Sequence, residues 1–231
     1  MSRSDDDGGS AEFGVFTITI AGYFSRMSQH LQVIGLSGGI ATGKSTCAEV
    51  LQQLLPDMVL FDADRCVREL YQSEKVLRLL AQHFGPGVVL EQGGADKAYL
   101  RRRAFSSSDD KAFLEGLFHP LVREECLALL DRTITKGASR LFVADVPLLF
   151  ENGFDFGQSA NLLVATSRNT QVDRLKTRNK WDDKTVQAVL SSQMPIDAKF
   201  PLADVVIWNE GPVESLHRQC RCYLRSLNIS F

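Results

Sequence analysis

The run Gly38-Gly39-Ile40-Ala41-Thr42-Gly43-Lys44-Ser45 has the spacing G-x-x-x-x-G-K-[ST], which suits a backbone loop that wraps phosphate groups. Glycines let successive backbone N–H groups converge on phosphate oxygens, and the N-terminus of the following helix adds partial positive charge. Lys44 then reaches the β- and γ-phosphates and Ser45 ligates Mg²⁺. Thr46 either adds a hydroxyl near the α-phosphate or is an ordinary first-turn residue. The chemistry implied is binding of a nucleoside triphosphate with Mg²⁺.

Carboxylates stand where such a site needs them. Asp62-Ala63-Asp64 follows a short apolar segment, and strand alternation would put both acids on the same side, facing the loop. One could accept the proton of an attacking hydroxyl, or one could merely N-cap the next helix. Asp145 ends the apolar run LFVAD, where a carboxylate helps to hold Mg²⁺ or caps the turn that follows. Pro147-Leu148-Leu149-Phe150-Glu151 reads as the wall of an acceptor pocket or as a packed loop. Arg174 and Arg178 lie four apart on one helix face. They suit a mobile lid that neutralises phosphate charge, or they belong to a solvated surface.

The elements that must position these residues are legible from periodicity. Apolar strands are predicted at Leu31–Leu36, Met58–Phe61, Leu141–Ala144, Leu162–Ala165 and Val205–Trp208. Helices are predicted at Lys44–Leu55 and Val213–Leu227, and a largely helical stretch lies between the second and third strands. This order predicts an α/β fold, a parallel sheet covered on both faces with ligands at the strands' carboxyl ends. Residues 1–26 read as an appendage. They open MSRSDDDGGS and include FTITI, a possible short strand, and Met27 offers a natural start.

The 231 residues, 44% hydrophobic and 23% charged, are enough for a packed core without disulfides. A formal net charge of −2 gives no global basic field, which argues against a nucleic-acid partner. The 5 cysteines lack zinc-site spacing and read as reduced thiols. No stretch is long and apolar enough to span a bilayer, and the flank of Phe13–Phe24 is not that of a signal peptide, so a cytoplasmic protein is expected. Two motif matches are accidental. Asn179-Lys180-Trp181-Asp182 fits a guanine-reading pattern but follows no apolar strand, and Asp155-Phe156-Gly157 lacks the other protein-kinase signatures.

Together these motifs resemble the dephospho-CoA kinases, from about Leu31 to Leu227. GLSGGIATGKST is similar to the family's G-L-T-G-G-I-G-S-G-K-S-T with Ser37, Ala41 and Thr42 substituted. Asp62-Ala63-Asp64, His119-Pro120, Pro147 to Glu151, Arg174 to Arg178, Gln193-Met194-Pro195 and Ala203 to Gly211 match further family motifs in order. The resemblance implies a P-loop three-layer fold with a five-stranded parallel core (27–62 and 140–231), a helical CoA-binding insert (63–139) and a lid (about 168–200). It implies transfer of the ATP γ-phosphoryl group to the ribose 3′-hydroxyl of dephospho-CoA, with Asp64 as base and Lys44 and Arg178 on the phosphates. By the same resemblance Arg174 and Asn209 join Gly39–Thr46 around the nucleotide, and Asp62, His119, Pro147, Leu148 and Glu151 face the acceptor. Lys97 and Val189 stand where family members commonly carry Arg. The rival expectations are another P-loop nucleoside or nucleotide kinase, and a nucleotide-binding regulator that transfers no phosphate to a small molecule.

Overall fold

The computed structural model describes residues 31–231; FTITI, Met27 and the rest of the segment before residue 31 lie outside the described residues. Strands β1 (Gln32–Gly38), β2 (Val59–Asp62), β3 (Leu141–Asp145), β4 (Ala160–Ala165) and β5 (Val205–Trp208) form one parallel sheet in the order β2-β3-β1-β4-β5. The connections run to opposite sides of the central β1, so its carboxyl end is the switch point where an open α/β sheet leaves a crevice.

Alternation along the strands builds two cores. Ile34 and Leu36 of β1 and Leu141 and Val143 of β3 face α1 (Lys44–Leu54) and α9 (Val213–Ser226), through Cys47, Leu51, Leu216, Cys220 and Leu224. Val33, Phe142 and Ala144 face the other way, towards α2 (Ala63–Leu70) and α5 (Ser108–Lys136), through Cys66, Val122, Cys126 and Leu130. This is the three-layer arrangement that a doubly covered parallel sheet requires.

Helix α5 has 29 residues and is about 43 Å long at 1.5 Å per residue. Its C-terminal half packs on the sheet. Its N-terminal half, through Leu114 and Phe118, joins a separate core with Val76 and Leu80 of α3 (Glu74–Phe84) and Leu100 of α4 (Lys97–Ser106). Lys97 lies 5.3 Å from the centroid of the Tyr71 ring, a cation–π contact. A fourth, small cluster joins Leu175 of α6 (Arg168–Asn179) to Val186 and Leu190 of α7 (Asp183–Ser191) and packs on Ile40 and Ala41. Helix α8 (Ile196–Lys199) leads from it back to β5. Val189 is half-buried on α7. Both accidental motifs have structural uses: Asp182 caps α7 by accepting from Thr185 N at 2.8 Å, and Phe156 is core.

At the opposite end of the sheet, Arg140 grips Asp57 with Nη2 2.7 Å from Oδ1 and Nε 2.9 Å from Oδ2. Hydrogen bonds from Arg140 hold the Asp57 carboxyl below its ordinary range. A depressed carboxyl stabilises the fold above its unfolded pKa and loses that contribution as pH falls through the folded one. Asp57→Asn should therefore cost about 1 kcal/mol at pH 7, the scale of a partly exposed two-point pair. The difference from wild type should shrink as the pH is lowered from 5 towards 3, which urea titrations at each pH will measure.

Candidate active site

The link between β1 and α1 is a curled loop in which Ala41 and Gly43 take positive φ, 60° and 90°. Gly43 is the N-cap of α1 and no side chain caps it, nor does the first turn carry an acid. The leading amides of that helix are therefore left for an anion. A loop curled in this way must also satisfy its carbonyls. Gly39 O accepts from Thr42 Oγ1 at 2.8 Å and Gly43 O from Cys47 N at 3.0 Å. The remaining donors come from far along the chain. Gln171 Nε2 donates to Ile40 O at 2.7 Å, Arg174 Nη1 to Ala41 O at 3.1 Å and to Thr42 O at 3.2 Å, and Asn209 Nδ2 to Thr42 O at 2.8 Å. Lys199 Nζ donates to Gly38 O at 3.2 Å, and Ile40 N donates to Gln193 Oε1 at 3.0 Å.

Asp62 and Asp145 are register partners at the carboxyl ends of β2 and β3. The Lys44 ammonium is paired with Asp145 Oδ1, and both side chains are largely buried. Burial pushes the Asp145 carboxyl up; Lys44 opposes the rise, and the charges of Asp62 and Asp64 add to it. Asp145 thus responds to both neighbouring acids. β2 stops at Asp62, so the two acids of D-A-D straddle a strand-to-helix junction instead of alternating along one strand. Asp62 is the cap, accepting from Arg65 N at 2.8 Å. Asp64 is exposed in the first turn of α2.

Among the described residues no group of three or more His, Cys, Asp or Glu is arranged to hold a metal. Mg²⁺ generally takes only one or two protein oxygens and fills its octahedron with phosphate and water. The Ser45 hydroxyl, exposed on the first turn of α1, and the Asp145 carboxylate are hard oxygen donors of the kind it accepts.

Beside the loop, a cavity of about 550 Å³ is lined by Thr46, Arg174, Arg178, Asn209, Val213 and Leu216, among others. Arg174 Nη2 donates to Asn209 O at 2.9 Å. Arg178 is exposed, its Nε 3.2 Å from Asn179 Oδ1. Next to Asn209, Glu210 accepts from Ser167 and from Thr170 Oγ1 at 2.5 Å, so β5 and the start of α6 are joined; those hydroxyls hold its carboxyl below the ordinary range. A second cavity of about 370 Å³ lies between α2 and α5, with Asp62, Arg65, Ser73, Glu125 and Arg132 in its wall.

The remaining expected residues are more scattered. Pro147 is half-buried and Leu148 exposed, while Leu149 between Leu148 and Phe150 is core. Glu151 turns to Lys199, with Oε1 2.8 Å from Nζ. His119 is exposed on α5 beside Pro120 and lines neither cavity. Gln171 and Lys199 escaped the sequence reading. Gln171 shares a helix face with Arg174 and Arg178, a spacing that could have singled it out; Lys199 offers no signal, because a lone lysine reads as surface.

A Cβ on Gly43 would run into Asn209 Nδ2, in a backbone region that L side chains avoid. Gly43→Ala should still fold, since the core is remote. It should weaken ATP binding by about 10- to 100-fold, the equivalent of roughly 1–3 kcal/mol of local strain. Titration of ATP against the variant and wild type, each with its melting curve, checks this.

A family profile described as dephospho-CoA kinase matches residues 32–215. A dephospho-CoA kinase of Bacillus thuringiensis subsp. konkukian is 34% identical over 198 residues, covering 85% of this chain and 98% of that protein. One from Geobacillus kaustophilus is 33% identical over 193 residues, covering 83% and 94%. Among solved structures, a Thermus thermophilus protein superimposes with a TM-score of 0.71 at 30% identity, covering 86% of this chain and 99% of that one. A dephospho-CoA kinase from Campylobacter jejuni shares the fold, with a TM-score of 0.59 at 21% identity, covering 85% and 97%. With the phosphate loop, the strand-end acids, Arg174 and Arg178 all inside the matched span, the chain belongs to the dephospho-CoA kinase family.

Proposed function

We propose that this protein transfers the γ-phosphoryl group of ATP to the ribose 3′-hydroxyl of dephospho-CoA, giving coenzyme A and ADP, the last step of CoA biosynthesis, in the cytoplasm. The observation that carries the reading is the family match over residues 32–215, which takes in the nucleotide loop and the helical region together.

In this reading ATP lies along the loop from Gly39 to Thr46, its base side towards the cavity bordered by Arg174 and Asn209. Lys44 exchanges Asp145 for the β- and γ-phosphates, which needs only a change of rotamer from its present pairing. Mg²⁺, when bound, neutralises charge across the phosphate oxygens; Ser45 and Asp145 are the residues that would hold it. Arg174 is already committed to loop carbonyls and serves to shape the site. Arg178, exposed one helical turn further on, is free to meet charge on the transferring group.

The acceptor is held by the helical region 63–139, with Asp62 at the edge of the cavity between α2 and α5. Pro147 and Leu148 border its approach. His119 lies on the same long helix, so a contact with the acceptor would be made beyond the strand ends. Asp62 spends its side chain on a helix cap, leaving Asp64 as the acid able to orient the 3′-hydroxyl and take its proton.

Incubation with ATP, Mg²⁺ and dephospho-CoA should yield CoA and ADP one for one. Consumption of a nucleoside or nucleotide acceptor in its place would overturn the reading. Asp64→Asn should fold normally, bind ATP with an unchanged Mg²⁺ dependence, and lose turnover by ~10²–10⁴-fold, the usual contribution of a positioned base. Turnover near the wild-type rate would remove Asp64 from that role. Loss of Mg²⁺-dependent ATP binding along with turnover would make it a metal ligand instead.

A further inference from the structure

Lys199 is fully buried, at 0% exposure, which is rare for a lysine unless its ammonium is matched. Its Nζ donates to the carbonyl of Gly38, the last residue of β1, at 3.2 Å and lies 2.8 Å from Glu151 Oε1. Neither Glu151 oxygen has a well-directed hydrogen bond among the described residues, so the ammonium is the charge that answers it. Three separate pieces of the chain meet at this point: the entry of the phosphate loop, the segment that follows β3, and α8, where the lid returns to the sheet. The same short helix also lies beside the loop at Gly39, where an added Cβ would come within ordinary contact, 3.7 Å, of Ile196 Cδ1.

We propose that Lys199 is a positioning residue for phosphoryl transfer. It fixes the first carbonyl of the phosphate loop against the lid's return and the segment after β3, so that the loop, the lid and the acceptor side keep one mutual geometry. The inference rests on the kinase reading above. Lysine is suited to the task because a compact ammonium offers several donors at one point, and here one serves a carbonyl while the charge serves a carboxylate. A counterion alone would need no bond to Gly38. That carbonyl adjoins the residues whose amides face phosphate, and a shift of about 1 Å there is enough to cost up to ~10²-fold in rate.

The test must separate this role from mere stability, because Lys199→Met alone leaves an unmatched buried carboxylate and risks unfolding. Glu151→Gln and the double variant Lys199→Met/Glu151→Gln are therefore compared. Glu151→Gln removes the carboxylate but leaves a buried ammonium, so its own folding is checked first by its melting curve; where it is folded, the difference between the two belongs to Lys199. If the methionine version does not accumulate folded, Lys199→Gln/Glu151→Gln spans the same gap with neutral amides. The readouts are melting temperature, kcat and KM for CoA formation, and amide hydrogen exchange across 38–45. The double variant should melt within a few degrees of Glu151→Gln, yet fall at least about tenfold below it in kcat and exchange the loop amides about tenfold faster. Equal kcat and equal exchange in the two would reduce Lys199 to a counterion and overturn the proposal. If the wild-type protein makes no CoA, the kinase reading fails on its own, and the exchange comparison still decides whether Lys199 holds the loop.

Discussion

A backbone curled to offer its amides to an anion cannot pair its own carbonyls in a helix or a sheet, and each of those carbonyls must find a donor or pay the cost of burial. That constraint organises this molecule. Within the loop, Thr42 and Cys47 serve Gly39 and Gly43. For Gly38, Ile40, Ala41 and Thr42 the donors are Lys199, Gln171, Arg174 and Asn209, all more than a hundred residues away. The shape of the loop is thus supplied by the C-terminal third of the chain, whose side chains form an outer scaffold around it. The left-handed Ala41 fits the same picture. A residue with a Cβ costs about 1–2 kcal/mol in that conformation, and it persists where Arg174 Nη1 holds its carbonyl.

Electrostatics at the strand ends follows from sheet register. Parallel pairing of β2 with β3 sets Asp62 beside Asp145, and the helix that starts at Ala63 swings Asp64 out to solvent nearby. Repulsion among these acids, added to burial, raises the Asp145 carboxyl, and the Lys44 ammonium offsets part of it. Such a cluster has a standing demand for positive charge. Lys44 meets it in this structure.

Much of this was legible in the sequence because it rests on local patterns. Five apolar runs became the five strands, with β1 extended past Leu36 to Gly38 and β4 beginning at Ala160. The spacing from Gly38 to Ser45 located the loop, and the D-A-D acids were placed near it. The alternation argument for those acids failed because the strand ends at Asp62, two residues short of Asp64. The capping alternative held for Asp62 and not for Asp64, a distinction that turns on where the helix begins. What could not be read was long-range: nothing in Gln171 or Lys199 as residue types announces a partner in the loop, and nothing in Glu151 announces its contact with Lys199. The long helix α5 also hid its double allegiance, because its apolar positions serve the sheet core at one end and the core of the helical region at the other.

The claim that distant side chains hold the phosphate loop is tested most directly at Gln171, which is buried, donates to Ile40 O and does not line the cavity beside the loop. Gln171→Leu keeps the bulk and removes the donor, leaving one loop carbonyl unpaired at a cost of about 1–3 kcal/mol. If the loop carries that cost, calorimetric titration with ATP and Mg²⁺ will give a Kd about tenfold or more above wild type while the melting temperature falls by only a few degrees. A Kd within twofold of wild type would mean that the loop keeps its shape without its outer donors, and would contradict the account.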